Sequence, residues 1–156
     1  MPASSKPKAT IHTDGASLGN PGPGGIGAVI EFAGRRVEVC EHIGVATNNV
    51  AEYTALVRAL EEARRIGAGS VHIYMDSELI VRQVAGPYKV KNEGLIPLYE
   101  RVKELLKSFK SYRIEHIPRE RNTEADKLSK QGAENPKLVR KASKGPEGEL
   151  RQGELF

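Results

Sequence analysis

Four acidic residues stand where one crevice would collect them. Asp14 and Asp76 each close a run that alternates like a strand, Ile11-His12-Thr13-Asp14 and Val71-His72-Ile73-Tyr74-Met75-Asp76. Glu52 and Asp126 each lie near the start of a run with helical spacing. Singly, each has an ordinary role. An acid after a strand starts a turn, and an acid at a helix N-terminus gains well under about 1 kcal/mol from the backbone dipole. Together they point to other chemistry. Four carboxylates in one place repel unless cations sit between them. All-oxygen ligands suit Mg²⁺ or Mn²⁺, whereas zinc prefers His and Cys. Two such ions about 4 Å apart clamp a phosphodiester, one activating water for in-line attack and the other stabilising the leaving 3′ oxygen. No convincing Ser/His/Asp or Cys/His set accompanies these acids.

The elements that must position them follow from periodicity. A strand is expected over about 8–14, then a glycine-rich loop over 17–25 that is not regular structure. Strands over 26–32 and 36–42, joined by a tight turn at Ala33-Gly34-Arg35, complete an antiparallel meander. Thr47-Asn48-Asn49 starts a helix, in which Ala51, Ala55, Leu56, Ala59, Leu60 and Ala63 recur at helical spacing up to Gly67 and Gly69. A strand, a helix and a strand over 71–76 require a crossover, hence a parallel pair. Ser77 caps a short helix ended by Gly86-Pro87. A polar loop with Lys89 and Lys91 leads to a helix over 95–109, a fifth strand over 112–117 and a last helix from Asn122 or Thr123. Ala125, Leu128, Ser129 and Gly132 form its inner side. The expected class is α/β, a mixed five-stranded sheet of three antiparallel strands followed by parallel additions, flanked by helices. With strands one and four adjacent, Asp14 and Asp76 emerge at one rim, where such sheets bind ligands. The domain is expected over 8–134, between a flexible leader at 1–7 and a flexible tail at 135–156.

Bulk properties narrow the classes. The 156 residues suffice for one domain with a real core. No apolar run reaches membrane-span length, and the N-terminus lacks the apolar core of a signal peptide, so a cytoplasmic location is expected. A monomer is expected as well. Cys40 is the only cysteine, so no intramolecular disulfide forms. A net charge of +4 favours a polyanionic partner only weakly, and three Phe with no Trp argue against a base-stacking platform.

The motifs in order resemble the ribonuclease H type 1 family over roughly residues 9–134. They are Thr13-Asp14-Gly15 followed by Gly19-Asn20-Pro21-Gly22-Pro23-Gly24-Gly25, then Thr47-Asn48-Asn49-Val50-Ala51-Glu52, then Asp76-Ser77, then Asn122-Thr123-Glu124-Ala125-Asp126. The resemblance implies the ribonuclease H fold and endonucleolytic cutting of RNA in an RNA–DNA hybrid, with 5′-phosphate and 3′-hydroxyl ends and two divalent ions. Asp14, Glu52, Asp76 and Asp126 match the family's metal-binding acids, and Glu52 would also touch a 2′-hydroxyl. Ser17, Asn20, Asn48 and Asn49 match minor-groove contacts, and Thr47 matches a phosphate contact. Two alternatives stay open: a same-fold nuclease acting also or mainly on double-stranded RNA, and a non-catalytic hybrid-binding module.

Two departures stand out. Many members carry a His in a longer loop before the last acid. Here that loop is Pro118-Arg119-Glu120-Arg121, where an arginine substitutes electrostatically but shuttles no proton at neutral pH. His12, His42 and His72 fall on strands, as packing residues. The loop over 86–94 replaces the basic handle of some members, which resembles compact archaeal and bacterial forms. At the C-terminus, Gln152-Gly153-Glu154-Leu155-Phe156 resembles the Gln-x-x-Leu-Phe peptides that dock on replication sliding clamps through residues matching Gln152, Leu155 and Phe156. Deleting residues 151–156 is expected to abolish clamp binding in a pull-down and leave hybrid cleavage intact.

Overall fold

The structure, a computed structural model, describes residues 7–140. Its elements are β1 (Lys8–Ser17), β2 (Gly22–Phe32), β3 (Arg35–Ala46), α1 (Asn48–Arg65), β4 (Ser70–Met75), α2 (Glu78–Ala85), α3 (Ile96–Leu106), β5 (Ser111–His116) and α4 (Thr123–Glu134). A single 3₁₀ turn, Arg119–Arg121, precedes α4. The sheet order is β3-β2-β1-β4-β5. β1, β2 and β3 pair antiparallel, and β4 and β5 add in parallel, as the crossover argument requires. In register, Thr13 lies opposite Met75, which sets Asp14 and Asp76 side by side just beyond the pairing.

Alternation along the strands divides the molecule into layers. Ile11, Ile26, Ala28, Ile30, Ile73 and Met75 face α1, α2 and α3, and with Tyr53, Leu56, Leu60, Ile80, Val102 and Leu105 they form the main core. Within it the buried Tyr53 hydroxyl donates to Gln83 Oε1 at 2.6 Å, tying α1 to α2. Arg58 donates to both carboxylate oxygens of Glu41, at 3.0 and 2.8 Å, and so ties α1 to β3. α4 covers the opposite face through the small buried residues Ala125, Ser129, Gly132 and Ala133. Beside it His12 and His72 stack on Tyr74, with ring centroids 4.9 and 4.4 Å apart, which makes them packing residues as expected.

Several boundaries differ from the sequence expectation. β1 runs three residues past Asp14, and β2 begins at Gly22, so most of the glycine-rich stretch is strand: Ala16 pairs with Gly25 and Ser17 with Gly24. The glycines there serve close approach more than turning. A Cβ on Gly25 would strike the α4 backbone at Ser129 and Ala133, and one on Gly27 would strike Ala125 and Ser129. A Cβ on Gly15 would strike the α1 backbone at Ala51 and Glu52. α3 ends at Leu106, short of 109, although Phe109 stays buried beyond it. The pattern expected to stop at residue 134 continues through 140. There His42 N–H donates to Leu138 O at 2.6 Å, Val139 bridges to His42, and Arg140 lies 3.3 Å from Glu61. These contacts depend on the free edge of β3, which periodicity within residues 135–140 does not reveal. The rest of the expected tail and residues 1–6 lie outside the described residues.

Gly25→Ala is expected to destabilise the protein by about 3 kcal/mol or more, because the clash is with backbone. Gly34→Ala, where nothing lies within 4 Å but φ is +79°, is expected to lose only about 1–2 kcal/mol. Urea unfolding of the two variants beside the wild type measures the difference.

Candidate functional site

Each acid reaches the rim for a local reason. Asp14 is carried by β1, faces α4 and is only 5% exposed; its Oδ1 accepts from the Gly15 N–H at 2.9 Å. Glu52 lies on the first turns of α1, a helix capped by Thr47, whose Oγ1 accepts from Val50 N–H at 3.2 Å. Because Gly15 has no side chain, α1 presses its backbone onto β1 and delivers Glu52 beside Asp14. Asp76 follows β4 and precedes Ser77, which caps α2 by accepting from Ile80 N–H at 3.3 Å. Asp126 sits on the first turn of α4, which the bare Gly25 and Gly27 admit to the opposite face.

The result is a cavity of about 660 Å³ whose wall includes Asp14, Glu52, Asp76 and Asp126. Asp14, Glu52 and Asp76 each offer an oxygen within 4.8 Å of the others, and Asp126 stands outside that trio. Burial raises the Asp14 carboxyl to about 8, helped by the charges of Asp76 and Glu52 and by a hydrogen bond shared with Asp126. Burial likewise raises Glu52 to about 7; the Ser77 hydroxyl and the Arg119 charge pull it down, and Asp76 pushes it up. Glu52 Oε1 is buried without a hydrogen-bond partner among the described residues. A buried, unpartnered carboxylate oxygen beside two more acids fits a hard divalent cation, and the absence of His and Cys from the trio fits Mg²⁺ or Mn²⁺ over zinc.

Three further residues shape this wall. The Asn122 amide, buried between strands and helix, donates to Thr13 O at 2.9 Å and to Asp76 Oδ2 at 3.4 Å. Its side chain makes no cap bond to α4, so a residue read as a helix starter instead holds Asp76 against β1. Lys130 and Glu134 line the cavity one and two turns beyond Asp126; that i, i+4, i+8 spacing was the overlooked signal. Of the two loop arginines, Arg119 faces the acids, and Arg121 lines a separate cavity with His12 and Glu31.

The residues expected to contact a duplex gather along one side. Ser17 and Asn48 line the acid cavity. Ser17 Oγ donates to Ala46 O at 2.7 Å, and Asn20 Oδ1 accepts from the Asn48 N–H at 3.0 Å, joining the β1–β2 loop to α1. Thr47 and Asn49 are exposed beside them, outside the cavity wall. Gln152, Leu155 and Phe156 lie outside the described residues. Among those described, no helix is long and apolar enough to cross a membrane.

Known proteins are similar to this chain in sequence and fold. A family model described as reverse transcriptase-like matches residues 12–132. The bifunctional protein Rv2228c of Mycobacterium tuberculosis is 44% identical over 125 residues, 78% of this chain and 34% of that protein. Its N-terminal RNase H domain, solved as a fusion with maltose binding protein, superposes with a TM-score of 0.78 at 43% identity, covering 81% of this chain and 98% of that one. The crystal structure of RNase H1 from Halobacterium salinarum superposes with a TM-score of 0.77 at 38% identity, over 81% of this chain and 98% of that one. The chain belongs to the ribonuclease H family. The curated ribonuclease HI of that archaeon is 39% identical over 126 residues, 80% of this chain and 63% of the relative. The chain thus spans about a third of one curated ribonuclease H relative and less than two thirds of the other. A third family member, LC11-RNase H1 solved in complex with an RNA/DNA hybrid, superposes with a TM-score of 0.72 at 40% identity, over 81% of this chain and 96% of that one.

Raised carboxyls make the metal-free ribonuclease H fold pH-sensitive. Asp14 and Glu52 hold protons in the folded state that the unfolded chain releases at ordinary carboxylate values. Their contribution to stability is therefore present below about pH 4 and is lost as pH rises through about 7 to 8. Thermal melts in EDTA are expected to show the wild type falling below Asp14→Asn as pH rises from about 4 to 8. Mg²⁺ is expected to close that gap at pH 8 and to matter little at pH 4.

Proposed function

We propose that the protein is an endoribonuclease that hydrolyses the RNA strand of RNA–DNA hybrids, leaving 5′-phosphate and 3′-hydroxyl ends. Mg²⁺ or Mn²⁺, two ions in all, would be held by Asp14, Glu52, Asp76 and Asp126. The observation that carries this reading is the trio of desolvated carboxylates with an unpartnered Glu52 oxygen, at the rim of a ribonuclease H sheet. The hybrid bound in the LC11-RNase H1 structure supports the substrate class.

Asp14, Glu52, Asp76 and Asp126 would hold divalent ions whose charge would lower the pKa of a bound water and balance that of the departing oxygen. This chain's own residues do the rest. Asn122 holds the Asp76 carboxylate in place from β1. Glu52 accepts a hydrogen bond from the 2′-hydroxyl at the cut, which separates RNA from DNA there. Ser17, Asn20, Asn48 and Asn49 offer small polar groups to a minor groove, and Thr47 offers its N-cap region to a phosphate. Arg119 balances acid charge at the site. The loop over 86–95, with exposed Lys89 and Lys91, adds modest and salt-sensitive affinity. The same proposal has the protein working as a cytoplasmic monomer, with Gln152, Leu155 and Phe156 docking a sliding clamp.

The test is cleavage of an end-labelled hybrid in Mg²⁺, Mn²⁺ and EDTA. Cuts confined to the RNA strand, absent in EDTA and reduced about a hundredfold or more in Asp14→Asn, are expected. Metal-independent binding without cutting would establish a hybrid-binding module instead. Cutting of double-stranded RNA in preference to hybrid would move the substrate to that duplex.

A further inference from the structure

Asp126 differs from the other three acids because it already has cations of its own. Lys130 Nζ lies 3.1 Å from its Oδ2, and the Arg119 guanidinium lies 3.7 Å from its Oδ1. Neither cation makes another ion pair among the described residues. Both line the acid cavity; the Asp126 side chain is 21% exposed, while Lys130 and Arg119, at 49% and 69%, keep their outer parts in water. Lys130 stands one helical turn beyond Asp126 on α4, which aims its stem along the same face. The cavity is thus two unlike halves. Asp14, Glu52 and Asp76 crowd together and form no ion pair among the described residues, with only the more distant Arg119 charge acting on Glu52; Asp126, which also approaches Asp14, pairs directly with Lys130 and Arg119.

We propose that Lys130, assisted by Arg119, is a built-in counterion that withholds Asp126 from divalent ions until substrate arrives. The proposal deepens the ribonuclease reading and rests on it. In the substrate-free protein one divalent ion binds tightly at the trio, and a second binds weakly because Lys130 repels it and occupies its carboxylate. A phosphodiester entering the cavity presents anionic oxygens that compete for the Lys130 ammonium and the Arg119 guanidinium. Asp126 is then released at the moment the polyanion brings new negative charge. Lys130 is a positioning residue in this account, acting through Asp126. An i, i+4 pair that merely steadied α4 would alter melting temperature and leave the ion count alone.

The experiment counts bound Mn²⁺ without substrate, by the loss of the electron paramagnetic resonance signal of free Mn²⁺. It compares wild type, Lys130→Met, Lys130→Arg and the double variant Lys130→Met with Asp126→Asn, with Lys130→Gln in reserve should Lys130→Met not fold. Lys130→Met is expected to tighten the second ion by about tenfold or more, since one like charge at close range is removed. Lys130→Arg is expected to behave as wild type, and the double variant to lose the gain. An unchanged second-ion affinity in Lys130→Met, or two equally tight ions in the wild type, would overturn the proposal. Hybrid cleavage is assayed in parallel. The expected ion counts without any cleavage would overturn the ribonuclease reading alone, and cleavage with unchanged ion counts would overturn the counterion role alone.

Discussion

The contact between the α1 backbone and Gly15 fixes how near Glu52 comes to Asp14, and the acid trio depends on that distance. One methyl group at Gly15 would push α1 outward and carry Glu52 with it. The same device operates on the opposite face, where Gly25 and Gly27 let α4 settle against β2 and bring Asp126 to the rim. β1 lies between these contacts and carries Asp14 itself. Its parallel pairing with β4 adds Asp76. Three of the four acids therefore reach the site through backbone geometry that tolerates no side chain or through strand register, both of which are rigid.

Rigidity matters because the arrangement is unfavourable by itself. Burial and mutual repulsion hold Asp14 and Glu52 protons far above the ordinary carboxylate range. A loosely held trio would relax by turning its carboxylates into water. Here the large core on one face of the sheet and the tight helix on the other supply the opposing stability. Asn122 adds a local restraint by gripping Asp76 from the β1 backbone. A site prepared in this way favours a cation because the cation relieves a strain already present.

Much of this was legible in the chain. Alternation in 8–14 and 71–76, helical spacing after Thr47-Asn48-Asn49, and glycines at element ends sufficed for the class and for naming four candidate acids, because those patterns repeat within a few residues. The extents were less legible. The stretch around Gly22, Gly24 and Gly25 reads as loop by composition, yet it pairs with β1 and β3, and Gly25 is bare because α4, about a hundred residues later, packs against it. Asn122 reads as a cap, yet its amide is drawn to Thr13 and Asp76. Residues 135–140 carry no periodicity, yet they lie against the edge of β3.

Local spacing and backbone preference, both readable along the chain, dictate which elements form and which residue types end them. The amino-acid sequence also places two carboxylates at strand ends and two near helix starts, with no convincing His or Cys ligand set beside them. That three of those acids form one tight group while the fourth pairs with Lys130 and Arg119 is a product of the folded packing. The physical reason is that pairing among charged side chains depends on distances of a few Å between segments far apart in the chain. Those distances are set by helix-to-sheet contact at bare glycines, which no local pattern specifies.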